Sequence, residues 1–240
     1  MAFAEVQYKN TLSNATSSAS VTLTATGAGN VMIVCAVTNS RTGSSLSGLS
    51  GVSGTVTQLT GVQMGTSTSD GSWMDVWIVV NINSTSSITV SNSASKVVED
   101  VHVFEYSGFG TASITDGIVQ PIEVTTPAPT IGSGASLGAS GDFVFTCVFA
   151  ITTAGAAGAS VTKIADTAAT SFQGTNGVDQ NVAGYCRFAS SWATLTAALS
   201  SDTITFTKTG STVNGLTVFA LKSASPSSII YTRRQRGWGY

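Results

Sequence analysis

One pattern occurs twice in this chain and limits the folds open to it. Gly29-Asn30-Val31-Met32-Ile33-Val34-Cys35 returns as Gly141-Asp142-Phe143-Val144-Phe145-Thr146-Cys147. Each copy is a glycine, a small polar residue, then an unbroken β-prone run that places a cysteine at a fixed distance. At the same spacing Trp73 aligns with Tyr185 and Val76 with Phe188. At slightly larger spacings Ile88-Thr89-Val90 aligns with Ile204-Thr205-Phe206, and Val103-Phe104 with Val218-Phe219. Matches in one order predict an internal duplication: residues 1–110, then residues 111–224, with residues 225–240 as a C-terminal tail outside both.

Charged residues are 9% of the chain, against roughly 25% in ordinary soluble domains. Ser, Thr and Gly take their place, but 42% hydrophobic residues in regular alternation are too many for a disordered chain. Val21, Leu23 and Ala25 alternate with threonines and should point inward. Residues 31–37 and 143–149 are apolar on both faces and should be central strands. Residues 39–54, almost all Ser, Gly, Thr and Leu, read as a long loop. About seven or eight short strands per half, with regular turn signals and no helical period, predict an all-β protein. The architecture expected is two tandem antiparallel β-sandwich domains, jelly-roll-like, with an immunoglobulin-like strand order as the alternative.

The net charge of −2 supplies no field to attract nucleic acid. No apolar run approaches the roughly 20 residues of a membrane span. The start, Met1 to Tyr8, lacks the basic end and apolar core of a signal peptide. An outside-type composition without an export signal fits a virion protein assembled in a host cytoplasm; a cropped chain is the plainer alternative. Three cysteines are an odd count for a disulfide framework. Cys35 and Cys147, in phase with core-facing neighbours, should be buried free thiols. Cys186 is placed where it could face Cys147 across a sandwich, a geometry that spacing does not decide.

Candidate sites are few. His102, the single histidine, shares a strand face with Phe104 and Tyr106. No metal set or triad is visible around it, so a structural role is expected. Glu99 and Asp100 are adjacent and so point to opposite faces of a strand. Asp75 and Glu105 are the acids in the most apolar settings, read as hydrogen-bonded rather than catalytic. No catalytic residue, metal or cofactor is expected. Trp73 and Trp77 flank Asp75 on one strand face that could stack on sugar rings, the corresponding pair in the second half being Tyr185 and Arg187. Packing under the 39–54 loop, or against another subunit, is the alternative. The tail differs from the rest of the chain: Tyr231, Arg233, Arg234, Arg236, Trp238 and Tyr240 follow a Ser/Pro linker and read as a peptide that docks on a partner.

The first half resembles a module found in phage particle proteins and bacterial surface proteins. The residues that carry the resemblance are Gly29-Asn30 before the central strand, the aromatic strand Trp73 to Trp77, and Glu105-Tyr106-Ser107-Gly108 at the close. The second half departs from it, with Asp142 for the Asn and Leu221-Lys222-Ser223 for the Tyr-Ser-Gly ending. The resemblance implies a tandem β-sandwich virion protein of a tailed bacteriophage, a capsid decoration or tail-associated component without catalytic residues. Its expected partners are copies of itself and other capsid or tail proteins. The competing expectation is a carbohydrate-binding module or adhesin that takes a host-surface glycan.

Overall fold

The computed structural model describes residues 3–12, 16–39, 46, 48–64, 72–92, 97–109, 115–124, 130–132, 138–152, 161–166, 186–208 and 212–222. Among these the chain forms strands and no helix. The N-terminal half contributes β1 (Ala4–Leu12), β2 (Ser18–Thr22), β3 (Asn30–Asn39), β4 (Gly48–Ser50), β5 (Thr55–Gln58), β6 (Val62–Met64), β7 (Ser72–Ile82), β8 (Ser87–Ser91) and β9 (Val97–Ser107). The C-terminal half contributes β10 (Thr115–Val124), β11 (Thr130–Gly132), β12 (Phe143–Thr152), β13 (Val161–Asp166), β14 (Cys186–Thr194), β15 (Ser201–Lys208) and β16 (Thr212–Leu221).

Among the described residues every strand pairing is antiparallel. The N-terminal half forms a large sheet in the order β1-β9-β3-β7-β5, with β6 also on β7, and a small sheet β2-β8-β4. The C-terminal half forms a large sheet β10-β16-β12-β14 and a small sheet β11-β15-β13. The two apolar runs, β3 and β12, each have a partner on both sides, which is where a strand without a polar face belongs. Each is entered through a turn at a left-handed glycine: Gly29 has φ 77° and Gly141 has φ 93°, values that a side chain disfavours. The turns are closed alike, by Asn30 N–H donating to Gly27 O and Asp142 N–H to Ala139 O.

The main core lies between the two large sheets. Val31, Ile33, Cys35, Met74, Val76, Phe104 and Tyr106 pack against Phe143, Phe145, Cys147, Phe149, Phe188, Trp192, Phe219 and Leu221 in one buried cluster. Ring centroids meet across it at 5.2 Å for Phe104 and Phe145 and 4.8 Å for Tyr106 and Phe143. Each such fully buried aromatic contributes about 1.5–3 kcal/mol by leaving water. The halves therefore share their largest core, and each also has a smaller one of its own. The far face of the N-terminal large sheet packs on β2-β8-β4 through Val21, Met32, Val34, Trp77, Ile88 and Val90, among others. The far face of the C-terminal large sheet collects Val144, Val148, Ala189, Leu195, Leu216 and Val218.

Two local expectations are corrected. Ala25 is exposed and Thr26 is buried. β2 stops at Thr22, so alternation no longer governs, and Thr26 instead exchanges hydrogen bonds with the Thr85 backbone. The 39–54 segment is not all loop: Gly48–Ser50 pairs with β8, and Leu46 is buried. The question left open at Cys147 is answered from the other half: its sulfur meets that of Cys35, while the Cys186 backbone pairs with Ile151.

Candidate functional site

The histidine does have partners. Asp100, two residues back on the same face of β9, holds His102 Nε2 at 2.7 Å through Oδ2. Tyr8, from β1, reaches His102 Nδ1 with its hydroxyl at 2.8 Å. Burial, and next the negative charge of Asp100, pushes the Tyr8 phenol up, so at neutral pH it stays a protonated donor. His102 Nε2–H donates to Asp100, and the Tyr8 hydroxyl is hydrogen-bonded to Nδ1. The imidazole lies against Phe188 of the other half, ring centroids 3.7 Å apart and nearly parallel. Both nitrogens are engaged and a ring face is covered, so the Tyr8–His102–Asp100 chain links β1 and β9 to the opposite sheet. Asp100 was legible from alternation along β9; Tyr8 depended on the β1–β9 register, which no local signal reveals.

A second polar centre joins two of the motifs read from the sequence. Glu105 on β9 is buried and accepts from Asn30 Nδ2 at 2.6 Å, Gly27 N–H at 2.9 Å and Gln7 Nε2 at 2.5 Å. Gln7 in turn donates to Thr24 O and accepts from Thr24 N–H. The Gly-Asn turn and the Glu of the closing strand are thus one carboxylate-centred clamp. In the second half, Val144 faces Ala220 where Met32 faces Glu105. The carboxylate there sits on the turn itself, and Asp142 Oδ2 accepts from Ala139 N–H at 2.7 Å. One carboxylate per turn, Glu105 at Gly27 and Asp142 at Ala139, is enough to hold the backbone N–H.

The face of β7 that carries Trp73, Asp75 and Trp77 is not an open platform. Trp77 is buried between the N-terminal large sheet and β2-β8-β4, and Trp73 is half-buried. Asp75 is buried and accepts from Leu46 N–H at 2.9 Å and Gln58 Nε2 at 3.2 Å. Burial pushes its carboxyl up to about 6, and these two hydrogen bonds oppose the shift. The alternation correctly grouped the three residues on one face, but a second sheet, with Leu46 and Gln58, covers that face. Stacking on a sugar would require both indoles to be open, and Trp77 is closed off.

Arg187 lies on β14 opposite Ala150. Tyr185 and the tail residues Tyr231, Arg233, Arg234, Arg236, Trp238 and Tyr240 lie outside the described residues. Among the described residues no group of three or more His, Cys, Asp or Glu is placed to hold a metal ion. No helix among them is long and apolar enough to cross a membrane. Comparison with protein-family models, with curated proteins and with solved structures finds no match.

Proposed function

We propose that the protein is a non-enzymatic structural component of a tailed-phage virion, a capsid decoration or tail-associated protein, built as two tandem jelly-roll-like sandwiches from one duplicated unit. The observation that carries this reading is the matching strand order of the halves. In β1-β9-β3-β7 and in β10-β16-β12-β14, the first strand of the half pairs with its last, the last with the third in order, and that one with the next long strand. The small sheets β2-β8-β4 and β11-β15-β13 match in the same way. This order supports a jelly-roll reading, an architecture of viral capsid and lectin domains.

Finer detail supports duplication. The first strand of each half has a register shift at the same place, between Glu5 and Gln7 and between Thr115 and Gly117, against Tyr106/Glu105 and Leu221/Ala220. Bulges are inherited features rather than accidents. Ile33 faces Phe104 as Phe145 faces Phe219, so Cys35 corresponds to Cys147 and Phe104 to Phe219. The correspondence on the next strand differs from the sequence spacing by two residues. Cys35 faces Val76 and Cys147 faces Ser190, so Val76 matches Ser190 and Trp73 matches Arg187.

The reading as a structural protein draws further support from the use of the polar groups: His102, Asp100, Glu105 and Asp75 all hold strands together. The low charge leaves little repulsion between copies, and the basic, aromatic tail supplies a docking peptide. A protein inventory of purified particles by mass spectrometry tests the proposal, together with incorporation of a chain lacking residues 227–240. The full chain should be present at stoichiometric levels. The truncated chain should melt at an unchanged temperature yet be absent from particles. Binding on a glycan array with no particle association would replace this reading by the adhesin one.

A further inference from the structure

The two large sheets meet at a pair of thiols. Cys35 Sγ on β3 and Cys147 Sγ on β12 are 3.6 Å apart, fully buried, and 112 residues apart in sequence. Each lies on the central strand of its sheet, so the pair sits in the middle of the shared core. A disulfide needs about 2.05 Å between sulfurs, so the two sulfurs have roughly 1.5 Å to close between them. Sheets packed about 10 Å apart carry such a bridge in immunoglobulin domains, where it links facing strands of the two layers.

We infer that Cys35 and Cys147 are an oxidative cross-linking site that staples the two halves of the protein across their common core, with a low-molecular-weight disulfide as the oxidant. One cysteine thiolate attacks the small disulfide and expels one small thiol, leaving a mixed disulfide on the protein. The other cysteine sulfur then attacks the protein-bound sulfur and expels the second small thiol. Two protein S–H bonds are lost, one protein S–S bond forms, one external S–S bond breaks, and the two protons leave with the small thiols. Burial pushes the Cys35 thiol well up, as does its neighbour Cys147, so thiolate is scarce while the core is closed. The reaction therefore follows opening of the core and should be faster in mild denaturant. Once formed, the bridge closes a loop of more than a hundred residues, worth up to roughly three-thousandfold in the folding equilibrium by loop entropy.

The test uses the full-length protein incubated with oxidised glutathione in sub-denaturing urea, followed by thiol titration in concentrated guanidinium and by peptide mapping. Titratable thiols should fall from the three of the sequence to one. The map should join the Cys35 and Cys147 peptides, and the urea midpoint should rise and return with dithiothreitol. Cys186→Ser should cross-link like the parent, and Cys35→Ser should not. Three titratable thiols after oxidation would overturn the assignment, as would a bridge that contains Cys186 or a stable mixed disulfide with glutathione. The thiol count and map on the parent protein decide the matter even if a serine variant folds poorly.

Discussion

Replacing Glu105 by alanine should cost about 3 kcal/mol, and replacing Asn30 by aspartate, costly alone, should add nothing once Glu105 is gone. Glu105 accepts three hydrogen bonds, from Asn30, Gly27 and Gln7. Bonds to a charged acceptor contribute about 1.5–3 kcal/mol each when buried, but these donors are only partly buried, so water recovers part of the loss and the sum is not reached. Asn30→Asp alone should cost about 2 kcal/mol, since it replaces the donor 2.6 Å from Glu105 Oε1 by a second carboxylate. The pair Glu105→Ala with Asn30→Asp recreates the arrangement of Ala220 with Asp142. The new carboxylate can then take the Gly27 N–H as Asp142 takes that of Ala139. The double variant should lose about 3 kcal/mol rather than the additive 5, a coupling of about 2 kcal/mol between residues in contact. Urea titrations followed by tryptophan fluorescence measure all four proteins, with a constant slope taken as the sign that the unfolded state is unchanged. If the two substitutions add to within about 0.5 kcal/mol, the clamp is not the energetic centre of the turn and the explanation of Asp142 fails.

Asp75 has a carboxyl raised to about 6 from 3.8 by burial; the folded state therefore holds a proton that the unfolded state releases, and stability should fall as pH rises from about 4 to about 6, by at most about 3 kcal/mol. Asp75→Asn should remove that slope, and a pH series of urea midpoints in which both proteins keep the same slope would contradict it. Gly215 on β16 is buried where an added Cβ would lie 2.7 Å from Met74 Sδ and closer still to Met64 Sδ. Gly215→Val should therefore cost about 1–3 kcal/mol or more by wedging the sheets, read as a lowered melting temperature, while a neutral result would mean the sheets are not in contact there. Tyr8→Phe removes only the hydroxyl on His102 Nδ1 and should cost about 1 kcal/mol. A shift in the His102 ring resonances should accompany it, and unchanged resonances would place Tyr8 elsewhere.

Much of the architecture was legible because strand formation is local. The two apolar runs, the alternation at Ile88-Thr89-Val90 and the Gly-Asn and Gly-Asp turns depend on neighbours in sequence, and β3, β8 and β12 lie where these signals put them. Burial of Cys35 and Cys147 followed from the same periodicity. The candidate site was less legible. Alternation placed Trp73, Asp75 and Trp77 on one face of β7 but carries no information about what lies over that face, and β2-β8-β4 with Leu46 covers it. His102 looked partnerless because Tyr8 is brought to it by a register set more than ninety residues away in sequence. Gly29-Asn30 and Glu105 were visible as separate motifs, and only pairing of β3 with β9 made them one clamp. Tertiary structure alone decided that the halves face each other through their large sheets. A strand's inward face needs an apolar partner, and whether that partner is its own small sheet or the other half is settled by packing over the whole chain, which no short window of residues contains.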